Sequence, residues 1–365
     1  MPEALKGLIL SGGKGTRLRP ITHTSAKQLV PVGNKPILFY AIEALVAAGI
    51  EEIGIVTGDT HAEVEAAVGD GSAFGARCTF IQQTAPLGLA HAVLTARDFL
   101  ADSSFVMYLG DNLVRHGIIP LVEEFRTSRP DAMILLARVP EPQHFGVAEL
   151  EEGRVVRLVE KPAVPRSDLA LVGVYLFSPA IFGAIDRIHY SARGELEITD
   201  AIQELIDEGK TVRPHIITTP QQATVATWKD TGRLDDLLEA NRIVLDDMSP
   251  RVEGEVGVGV RIEGKVIVEV GAQVHNSTVR GPTIIGRGAT VDDAYIGPYT
   301  SIGPGCVIRA AEIEHSIVLG SARIEDCDGI IQSSLIGKEC VIRRSRVRPR
   351  AYKLMMGDHS VVELR

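Results

Sequence analysis

A repeat in the last third of the chain restricts the fold more than any other feature of the sequence. An apolar residue followed by glycine recurs at an unchanged interval of 17 residues, at Ile285-Gly286, Ile302-Gly303, Leu319-Gly320 and Ile336-Gly337. Further apolar residues fall every five or six positions between these pairs, at Val291, Ile296, Ile308, Ile313, Ile324, Ile330 and Ile342, and are expected to point inward. Coils with about three flat faces each would bring these side chains into one interior. The repeat therefore predicts a parallel β-helix.

The repeat region begins after Pro250, where a predicted helix ends. From about residue 252 the sequence shows no helical period, and Gly and β-branched residues dominate it. This region resembles the left-handed β-helix of hexapeptide-repeat proteins. We expect it to span residues 252–350, with residues 351–365 as a C-terminal tail. Its expected role is structural, since stacked coils present a flat face on which subunits can assemble.

The first 245 residues follow a different pattern, in which strand-like apolar runs alternate with helical ones. This alternation predicts an α/β domain with a mostly parallel, Rossmann-like sheet covered by helices. The predicted strands are Leu5–Leu10, Glu52–Thr57, Arg77–Ile81, Phe105–Leu109, Ala132–Arg138, Gly146–Leu150, Val155–Val159, Leu171–Phe177 and Val225–Trp228. The predicted helices are Lys35–Ala48, His61–Val68, Leu89–Leu100, Ala180–Ile188, Thr199–Glu208 and Leu234–Asp247. A chain of 365 residues also exceeds the usual size of a single core, so two domains are expected.

The composition argues against several classes of function. A net charge of −9 disfavours a general nucleic-acid binder. The four cysteines form no Cys-x-x-Cys pair and no zinc-type cluster, which favours reduced thiols in a cytoplasmic protein. No apolar run is long enough to span a bilayer, and the first one stops at Leu10, too early for a signal peptide. We therefore expect a soluble cytoplasmic protein with neither nucleic-acid nor membrane partners.

The first predicted strand runs directly into a glycine-rich loop, Ser11–Arg17, which contains three glycines. Glycines remove the side chains that would keep a phosphate away from the backbone, so successive N–H groups can converge on an anion. Arg17 and Lys27 add positive charge nearby. A plain strand-to-helix turn with surface cations fits the loop equally well.

Two common types of phosphate loop do not match this spacing. A Walker A loop would end in Gly-Lys-Ser/Thr, which is absent here. A dinucleotide-binding loop would have a third glycine where Leu18 stands. Its ribose-binding acid would also follow about 20 residues later, whereas the next strand ends much further on, at Asp59. The loop is therefore a phosphate cradle of another kind, or a turn.

Polar residues follow several other predicted strands at the same edge of the sheet. They are Gln82–Gly88, Asp111-Asn112, Glu160-Lys161 and Asp230. In open α/β sheets, ligands bind beyond the carboxyl ends of the strands. Two carboxylates near a phosphate cradle suit Mg²⁺, which prefers a few carboxylates together with phosphate oxygens and water. Taken singly, Asp111 could be a turn aspartate and Lys161 an ordinary exposed lysine.

Together these segments resemble the sugar-nucleotide pyrophosphorylases. The matching motifs are Leu10–Pro20, Ala26–Val32, Leu109–Asn112, Phe145–Glu149, Glu160–Pro162, Arg193–Asp200 and Trp228–Gly232. Within that family they are similar to the glucose-1-phosphate thymidylyltransferases, and the appended β-helix resembles the long form of these enzymes. The resemblance covers residues 1 to about 245 and implies a nucleotidyltransferase domain.

The resemblance also implies a role for individual residues. The expected nucleotide-binding residues are Leu10, Gly12, Gly13, Gly15, Thr16, Arg17, Gln28, Gln83, Gly88 and Asp111. The expected sugar-phosphate-binding residues are Asn112, Gly146, Glu160, Lys161, Val172 and Tyr175. The expected catalytic residues are Arg17, Lys27, Lys161, Asp111 and Asp230, and the two aspartates would also hold Mg²⁺. Leu87 stands where short forms commonly carry a polar residue, so no base contact is expected from its side chain. Phe145 stands where short forms commonly have a tyrosine, which removes a hydroxyl contact to the sugar.

The reaction implied by the resemblance is attack of a sugar-1-phosphate oxygen on the α-phosphorus of dTTP, with release of pyrophosphate. The product, dTDP-glucose, would feed deoxysugar biosynthesis. A uridylyl- or adenylyltransferase remains an alternative. A non-catalytic nucleotide-sugar-binding subunit is disfavoured, because such a protein would be expected to lose the catalytic cations or carboxylates that are present here.

The β-helix leaves two further questions open. His275 and His315 could serve as bases for acyl transfer, but neither lies in a recognisable acyltransferase motif, which favours ordinary surface histidines. The basic segment Arg343–Lys353 is typical of a solvated cap or an intersubunit contact. We expect a homo-oligomer, a trimer or a tetramer, because β-helices commonly trimerise whereas short-form relatives assemble through their catalytic domains.

Overall fold

The computed structural model describes residues 5–13, 15–23, 26–217 and 228–344. Its contacts group the chain into two compact units. The first unit contains the described residues within 1–14, 26–29 and 37–230, and the second contains those within 15–25, 30–36 and 231–365. The C-terminal helix that the sequence assigns to the first domain therefore groups with the β-helix, and the domain boundary at residue 245 stays a prediction.

The first unit is built on a nine-stranded mixed sheet and a two-stranded ribbon. Its strands are β1 (Lys6–Ser11), β2 (Glu52–Thr57), β3 (Arg77–Gln82), β4 (Phe105–Leu109), β5 (Asn112–Val114), β6 (Ala132–Arg138), β7 (Gly146–Glu151), β8 (Arg154–Glu160), β9 (Leu169–Phe177), β10 (Val212–Ile216) and β11 (Trp228–Asp230). Its helices are α1 (Ile37–Ala47), α2 (His61–Val68), α3 (Leu89–Thr95), α4 (Arg97–Leu100), α5 (Ile119–Ser128), α6 (Ala180–Ile185) and α7 (Ile198–Asp207).

The sheet has a parallel centre and antiparallel additions. The main order is β8-β7-β9-β4-β1-β2-β3, with β6 pairing with β9, and β10 with β6. Strands β4, β1, β2 and β3 are mutually parallel, whereas β9 runs antiparallel to β4. Leu8 and Ile9 are fully buried and pack into two different core clusters, because helices cover both faces. The predicted Rossmann-like α/β sheet is confirmed.

Strand register brings four strand ends to one edge. Leu10 lies opposite both Val56 and Leu109. One step further, Ser11 lies opposite Thr57, and Thr57 opposite Gln82. The loops that follow β1, β3 and β4 therefore start side by side, where ligands bind in sheets of this kind.

Three predicted helices differ in the structure, and the one expected over Ala180–Ile188 ends at Ile185. The predicted helix Leu89–Leu100 is divided into α3 and α4 at Ala96, whose φ and ψ are −92° and 6°. The predicted helix Lys35–Ala48 begins at Ile37, because Lys35-Pro36 pairs as a short strand with Pro31-Val32. The predicted strand Val225–Trp228 lies mostly outside the described residues, and β11 starts at Trp228.

None of the helices within the described ranges is long and apolar enough to cross a membrane.

The second unit contains three parallel sheets of six, six and five strands, which confirms the predicted β-helix. The six-stranded sheets consist of Arg251–Val252, Val266–Val268, Thr283–Ile285, Thr300–Ile302, Ile317–Val318 and Leu335–Ile336, and of Glu255–Val256, Gln273–His275, Thr290–Asp292, Val307–Arg309, Arg323–Glu325 and Val341–Arg343. The third consists of Arg261–Glu263, Thr278–Arg280, Tyr295–Ile296, Glu312–Glu314 and Ile330–Gln332.

The register of the β-helix departs from the constant repeat in two consecutive coils. Ile285 pairs with Ile302 as predicted, but Ile302 pairs with Val318 rather than with Leu319, and Val318 pairs with Ile336. One residue fewer than the repeat of 17 separates paired positions from Ile317 onward. The next coil contains one residue more than the repeat, inserted before Ile330, which restores the overall spacing. Turns between flat faces can absorb such changes, so the interior stack persists although the spacing varies. The prediction of Ile330 as an interior residue is wrong, because the shift exposes Ile330 and pairs Ile331 with Ile313.

Helix α8 (Leu234–Asp247) packs against one face of the β-helix through Leu245, Ile267 and Ile284. Its Asn241 is fully buried and is held by three hydrogen bonds. The side-chain Oδ1 accepts from the Gly33 N–H at 2.8 Å and from the Ser301 hydroxyl at 2.7 Å. Nδ2 donates to the Tyr299 carbonyl at 3.1 Å. One amide therefore joins three segments of the second unit.

Replacing Asn241 by Leu is expected to lower the free energy of unfolding by about 2–4 kcal/mol, because it leaves several buried polar groups without partners. Chemical denaturation would measure the loss. Asp235→Glu, at an exposed position on the same helix, is the control and should change stability by less than about 0.5 kcal/mol. Equal stability of both variants would show that the Asn241 bonds contribute little.

Candidate functional site

The loop after β1 places glycine backbone beside a buried ion pair. Gly13 has a φ of +105°, a conformation that favours glycine. A Cβ atom there would lie 3.5 Å from Cε of Lys27, so the lysine side chain passes along the loop. The Lys27 ammonium then donates a hydrogen bond to Oδ2 of Asp111, which directly follows β4 and the turn residue Gly110. The predicted cation and carboxylate are thus in contact.

The charge of Asp111 is set by two opposing effects. Burial is the largest single effect and raises the pKa of its carboxyl group, since only 13% of the side chain is exposed, whereas the charge of Lys27 and its hydrogen bond lower the pKa. A hydrogen bond of 3.2 Å from the Asn112 amide to Oδ1 acts in the same direction. The net pKa lies below its ordinary value, so the carboxylate is ionised at neutral pH.

The second predicted metal ligand lies on the ribbon next to Asp111. Strand β11 pairs antiparallel with β5, and Asp230 lies directly opposite Asn112. Trp228, on the same strand, donates a hydrogen bond from Nε1 to Oδ1 of Asn112 at 2.6 Å. Opposite Cα atoms in such ladders lie about 5 Å apart, so the backbone of Asp230 lies next to Asn112, the residue that follows Asp111.

The oxygen donors of this pair are those that Mg²⁺ prefers. Among residues 5–13, 15–23, 26–217 and 228–344, no group of three or more His, Cys, Asp or Glu side chains is arranged to hold a metal ion. Two carboxylates alone would leave coordination positions for phosphate oxygens and water, which is the usual situation for Mg²⁺ in phosphoryl-transfer sites.

Two of the predicted base-binding residues, Gln28 and Gln83, lie beside Gly12 of the loop. Gln28 is almost completely buried and donates from Nε2 to the Gly12 carbonyl at 2.8 Å, so it supports the loop. Its Oε1 and the Ser11 hydroxyl are buried without a hydrogen-bond partner among the described residues. The Oε1 of Gln83 also faces Gly12, where it would lie 3.7 Å from a Cβ atom.

Gly88 meets the backbone of Leu196 so closely that no side chain fits. A Cβ atom at Gly88 would lie 2.3 Å from the Leu196 carbonyl oxygen, and the φ of Gly88 is +105°. The Leu196 N–H donates to the Leu87 carbonyl at 2.7 Å, and the Ala90 N–H donates to the Leu196 carbonyl at 3.1 Å. The loop after β3 is thereby fixed to the segment that leads into α7.

The predicted sugar-side residues lie around Glu160 at the end of β8. Gly146 is its cross-strand partner, and a Cβ there would lie 3.1 Å from Oε2 of Glu160. Thr199 donates to Oε2 at 3.4 Å, and Arg193 donates to Oε1 at 3.4 Å. Burial, and then the charge of Glu160, raises the pKa of the Tyr175 hydroxyl.

Lys161 and Val172 complete the described part of this region. The Lys161 ammonium lies 3.5 Å from Oε1 of Glu160 and is about half exposed. Its backbone adopts a φ of +44° and donates its N–H to the Phe145 carbonyl at 3.0 Å. A left-handed lysine is a strained arrangement of the kind that clusters at functional sites. Val172 is fully buried in β9.

Three predicted triphosphate ligands belong to the second unit. Gly15 has a left-handed φ of 57° and precedes a 3-10 helix, Thr16–Leu18. The Thr22 hydroxyl donates to the Gly15 carbonyl at 2.6 Å and so helps to fix this turn. Arg17 is exposed on it. The roles of Gly15, Thr16 and Arg17 toward phosphate stay predictions.

The two β-helix histidines pack against neighbouring residues of the β-helix. Nδ1 of His275 lies so near Gly257 that a Cβ there would be 2.2 Å away, and the His315 ring packs on Tyr299 with centroids 5.2 Å apart. Of the basic segment Arg343–Lys353, only Arg343 and Arg344 are among the described residues, and Arg344 pairs with Asp328.

Sequence reasoning missed several residues that contact the predicted site residues, and three of them hold a site side chain by a hydrogen bond or ion pair of their own. Trp228 holds Asn112, Arg193 joins Glu160 to Glu197, and His91 lies against Gln83. Trp228 and Arg193 stand within the family-like motifs and could have been marked from them, whereas no spacing rule links His91 to Gln83.

Comparison with known proteins places this architecture among related chains. The nucleotidyl transferase family model matches residues 6–247. A glucose-1-phosphate thymidylyltransferase of Streptomyces griseus is 54% identical, over 99% of this chain and 99% of the relative. One of Streptomyces antibioticus is 53% identical with the same coverage, and a low-salt glycan biosynthesis nucleotidyltransferase of Haloferax volcanii is 45% identical over 99% of this chain and 100% of the relative.

A solved structure extends the similarity to three dimensions. A candidate glucose-1-phosphate thymidylyltransferase from Bacillus anthracis, crystallised with sucrose, superposes with a TM-score of 0.62 at 35% sequence identity. The match covers 68% of this chain and 98% of that one.

Proposed function

The chain belongs to the nucleotidyl transferase family, and from that premise we propose that it condenses dTTP with glucose-1-phosphate to give dTDP-glucose and pyrophosphate. The Streptomyces relatives, which match nearly the whole chain, support this substrate pair. The structural observation that carries the proposal is the Lys27–Asp111 ion pair, which lies beside the glycine loop at the carboxyl ends of β1 and β4. The product would feed deoxysugar biosynthesis.

In the proposed reaction, a phosphate oxygen of the sugar attacks the α-phosphorus of the triphosphate. The new oxygen–phosphorus bond forms as the bond to the bridging oxygen of the departing pyrophosphate breaks. Because the sugar phosphate is already a nucleophilic anion, no general base is needed. The protein must bring two anions together and stabilise the charge that moves to pyrophosphate.

The residues divide this work between the two phosphates. The N–H groups of Gly12, Gly13 and Gly15, with Thr16, would hold the triphosphate. Arg17 and Lys27 would neutralise its developing charge, and Lys161 would bind the phosphate of the sugar. Leu10, near the end of β1, would complete the proposed nucleotide-binding residues of this segment.

A divalent metal is typical of this family, and we propose Mg²⁺ held by Asp111 and Asp230. The two carboxylates suit this ion because they leave places for phosphate oxygens and water. When bound, the ion would neutralise triphosphate charge and polarise the α-phosphate. Lys27 keeps Asp111 ionised, and the ionised carboxylate is the form that binds a metal ion.

Two groups of residues would recognise the base and the sugar. The base would contact Gln83, Gly88 and Gln28. The residues proposed to contact the sugar are Asn112, Gly146, Glu160, Val172 and Tyr175. Phe145 packs edge-to-face on Trp228, with centroids 5.5 Å apart, and therefore supplies an apolar wall without a hydroxyl.

Pyrophosphate release with glucose-1-phosphate and each of dTTP, UTP, ATP and GTP would test this function. We expect dTTP to give the highest kcat/KM. A higher value with UTP or ATP would change the assigned base, and no release with any triphosphate would contradict an enzymatic role. The solution mass, measured alongside, would test the proposed homo-oligomer.

A further inference from the structure

We propose that His91 is a positioning residue, which fixes the side-chain amide of Gln83 so that only its oxygen is available to the nucleotide base. The inference rests on the proposed function, because it concerns the base-recognition side of the same site. It adds a residue outside the family-like motifs and a physical rule for which pyrimidine the site accepts.

The hydrogen bonds of Gln83 determine which way its amide points. Nε2 lies 3.3 Å from the Gly88 carbonyl oxygen and 2.9 Å from Nδ1 of His91. A carbonyl oxygen can only accept a hydrogen bond, so the group that faces Gly88 must be the NH₂ end of the amide. The reverse orientation would place two oxygens against each other.

The same geometry fixes the proton on His91. One N–H of the Gln83 amide is directed to Gly88, and the other to His91, so Nδ1 of the imidazole must accept. Its proton therefore resides on Nε2. His91 lies in the first turn of α3, which starts directly after Gly88, so both acceptors belong to one short, rigid segment.

With both amide protons engaged, Gln83 has only an acceptor left to offer. That atom, Oε1, is directed toward Gly12 of the phosphate loop. An acceptor there fits a base with a ring N–H, such as N3–H of thymine or uracil. Cytosine has the same ring size but carries no hydrogen on N3, so two acceptors would face each other. The site would then reject cytosine through an uncompensated polar contact, which discriminates more strongly than shape.

A purely structural role for His91 would act differently. Its carbonyl accepts a hydrogen bond from the Thr95 hydroxyl at 2.9 Å, and its ring is partly buried. Loss of packing would weaken the fold and every ligand alike. Loss of the His91 acceptor would instead leave only the longer, 3.3 Å bond to Gly88 to hold the amide, so Gln83 could rotate and present its NH₂ group, which weakens dTTP binding and relieves the repulsion of dCTP.

The test replaces His91 by Phe, which keeps the ring but removes the acceptor, and by Asn, whose Oδ1 can accept in place of Nδ1. Equilibrium titration would give Kd for dTTP and for dCTP. We expect the preference for dTTP to fall about tenfold in His91→Phe and to change by less than about twofold in His91→Asn. The KM for glucose-1-phosphate should stay within about twofold in both.

The outcomes separate the two proposals. An unchanged dTTP-to-dCTP preference in a folded His91→Phe, or an equal loss in His91→Asn, would overturn the role of His91. If His91→Phe does not fold, the smaller His91→Leu provides the same comparison. Absence of turnover with dTTP in the unaltered protein would instead contradict the proposed function, and leave the amide geometry to be judged by binding alone.

Discussion

Replacing Asp111 by Asn is expected to lower kcat/KM for pyrophosphate release on the order of 10³-fold. The amide keeps the shape of the carboxylate but removes its charge, and with it the proposed ligand for the metal. A metal ion contributes several kcal/mol to charge stabilisation in such reactions, and about 4 kcal/mol corresponds to this loss of rate. The measurement is the rate as a function of Mg²⁺ concentration, and the Mg²⁺ needed for half-maximal rate should also rise.

Glu52→Gln is a matched control for this variant. Glu52 begins β2, at the end of the strand opposite to the site, and pairs with Arg77 in solvent. The same change from carboxylate to amide there should leave the rate within about twofold. An Asp111→Asn protein with an unaltered rate and Mg²⁺ dependence would show that the metal assignment is wrong.

Replacing Lys27 by Met is expected to affect both stability and activity. It leaves Asp111 buried without its principal counter-charge, which typically costs about 3–5 kcal/mol. Chemical denaturation of Lys27→Met, Asp111→Asn and the double variant would measure this. The double variant should be more stable than Lys27→Met alone, because it no longer buries the charge that Lys27 offsets.

The same substitution changes the dependence on pH. In the unaltered protein the pKa of Asp111 is lowered on folding, so the pair stabilises the fold above the ordinary pKa of Asp. That contribution is lost as the pH falls through the lowered value. Without Lys27 only the effect of burial remains among the two largest causes, and it raises the pKa. The acidic limb of the pH–rate profile should therefore move to higher pH.

Lys161→Met can serve as the comparison for this shift, since Lys161 also carries a predicted phosphate contact but pairs with Glu160 rather than with Asp111. It should lower the rate without moving the acidic limb. A Lys27→Met protein whose acidic limb stays in place would show that Lys27 does not govern the ionisation of Asp111.

The parallel centre of the fold could be predicted because it is encoded locally. Strands β1 and β4 are continuous apolar runs buried on both faces, and their carboxyl ends must meet once they pair in parallel. That rule alone brings Ser11 and Asp111 to one edge. The β-helix could be predicted for a similar reason, since each coil repeats the pattern of the one before it.

Local sequence patterns could not predict the register change in the β-helix or the helix break at Ala96. The sequence shows Leu319-Gly320 in phase with Ile302-Gly303, but backbone pairing places Val318 on Ile302. One residue gained or lost in a turn shifts the register without altering the apolar composition. The break at Ala96 likewise has no Gly or Pro to mark it.

Contacts between distant residues account for the rest of the site. Lys27 and Asp111 are 84 positions apart, and Trp228 and Asn112 are 116 apart. Their partnership depends on the fold and on no spacing rule. The amide of Gln83 could be assigned to the base by resemblance, but its orientation could be read only from the positions of Gly88 and His91.

The most direct test of the proposed reaction follows heavy oxygen from glucose-1-phosphate. The substrate would carry the label in all non-bridging oxygens of its phosphate group. Mass spectrometry would then measure the mass of each product of the reaction with dTTP. Attack by the sugar phosphate on the α-phosphorus predicts that dTDP-glucose retains every labelled oxygen and that pyrophosphate contains none. Label in pyrophosphate, or a nucleotide sugar that lacks it, would contradict the account.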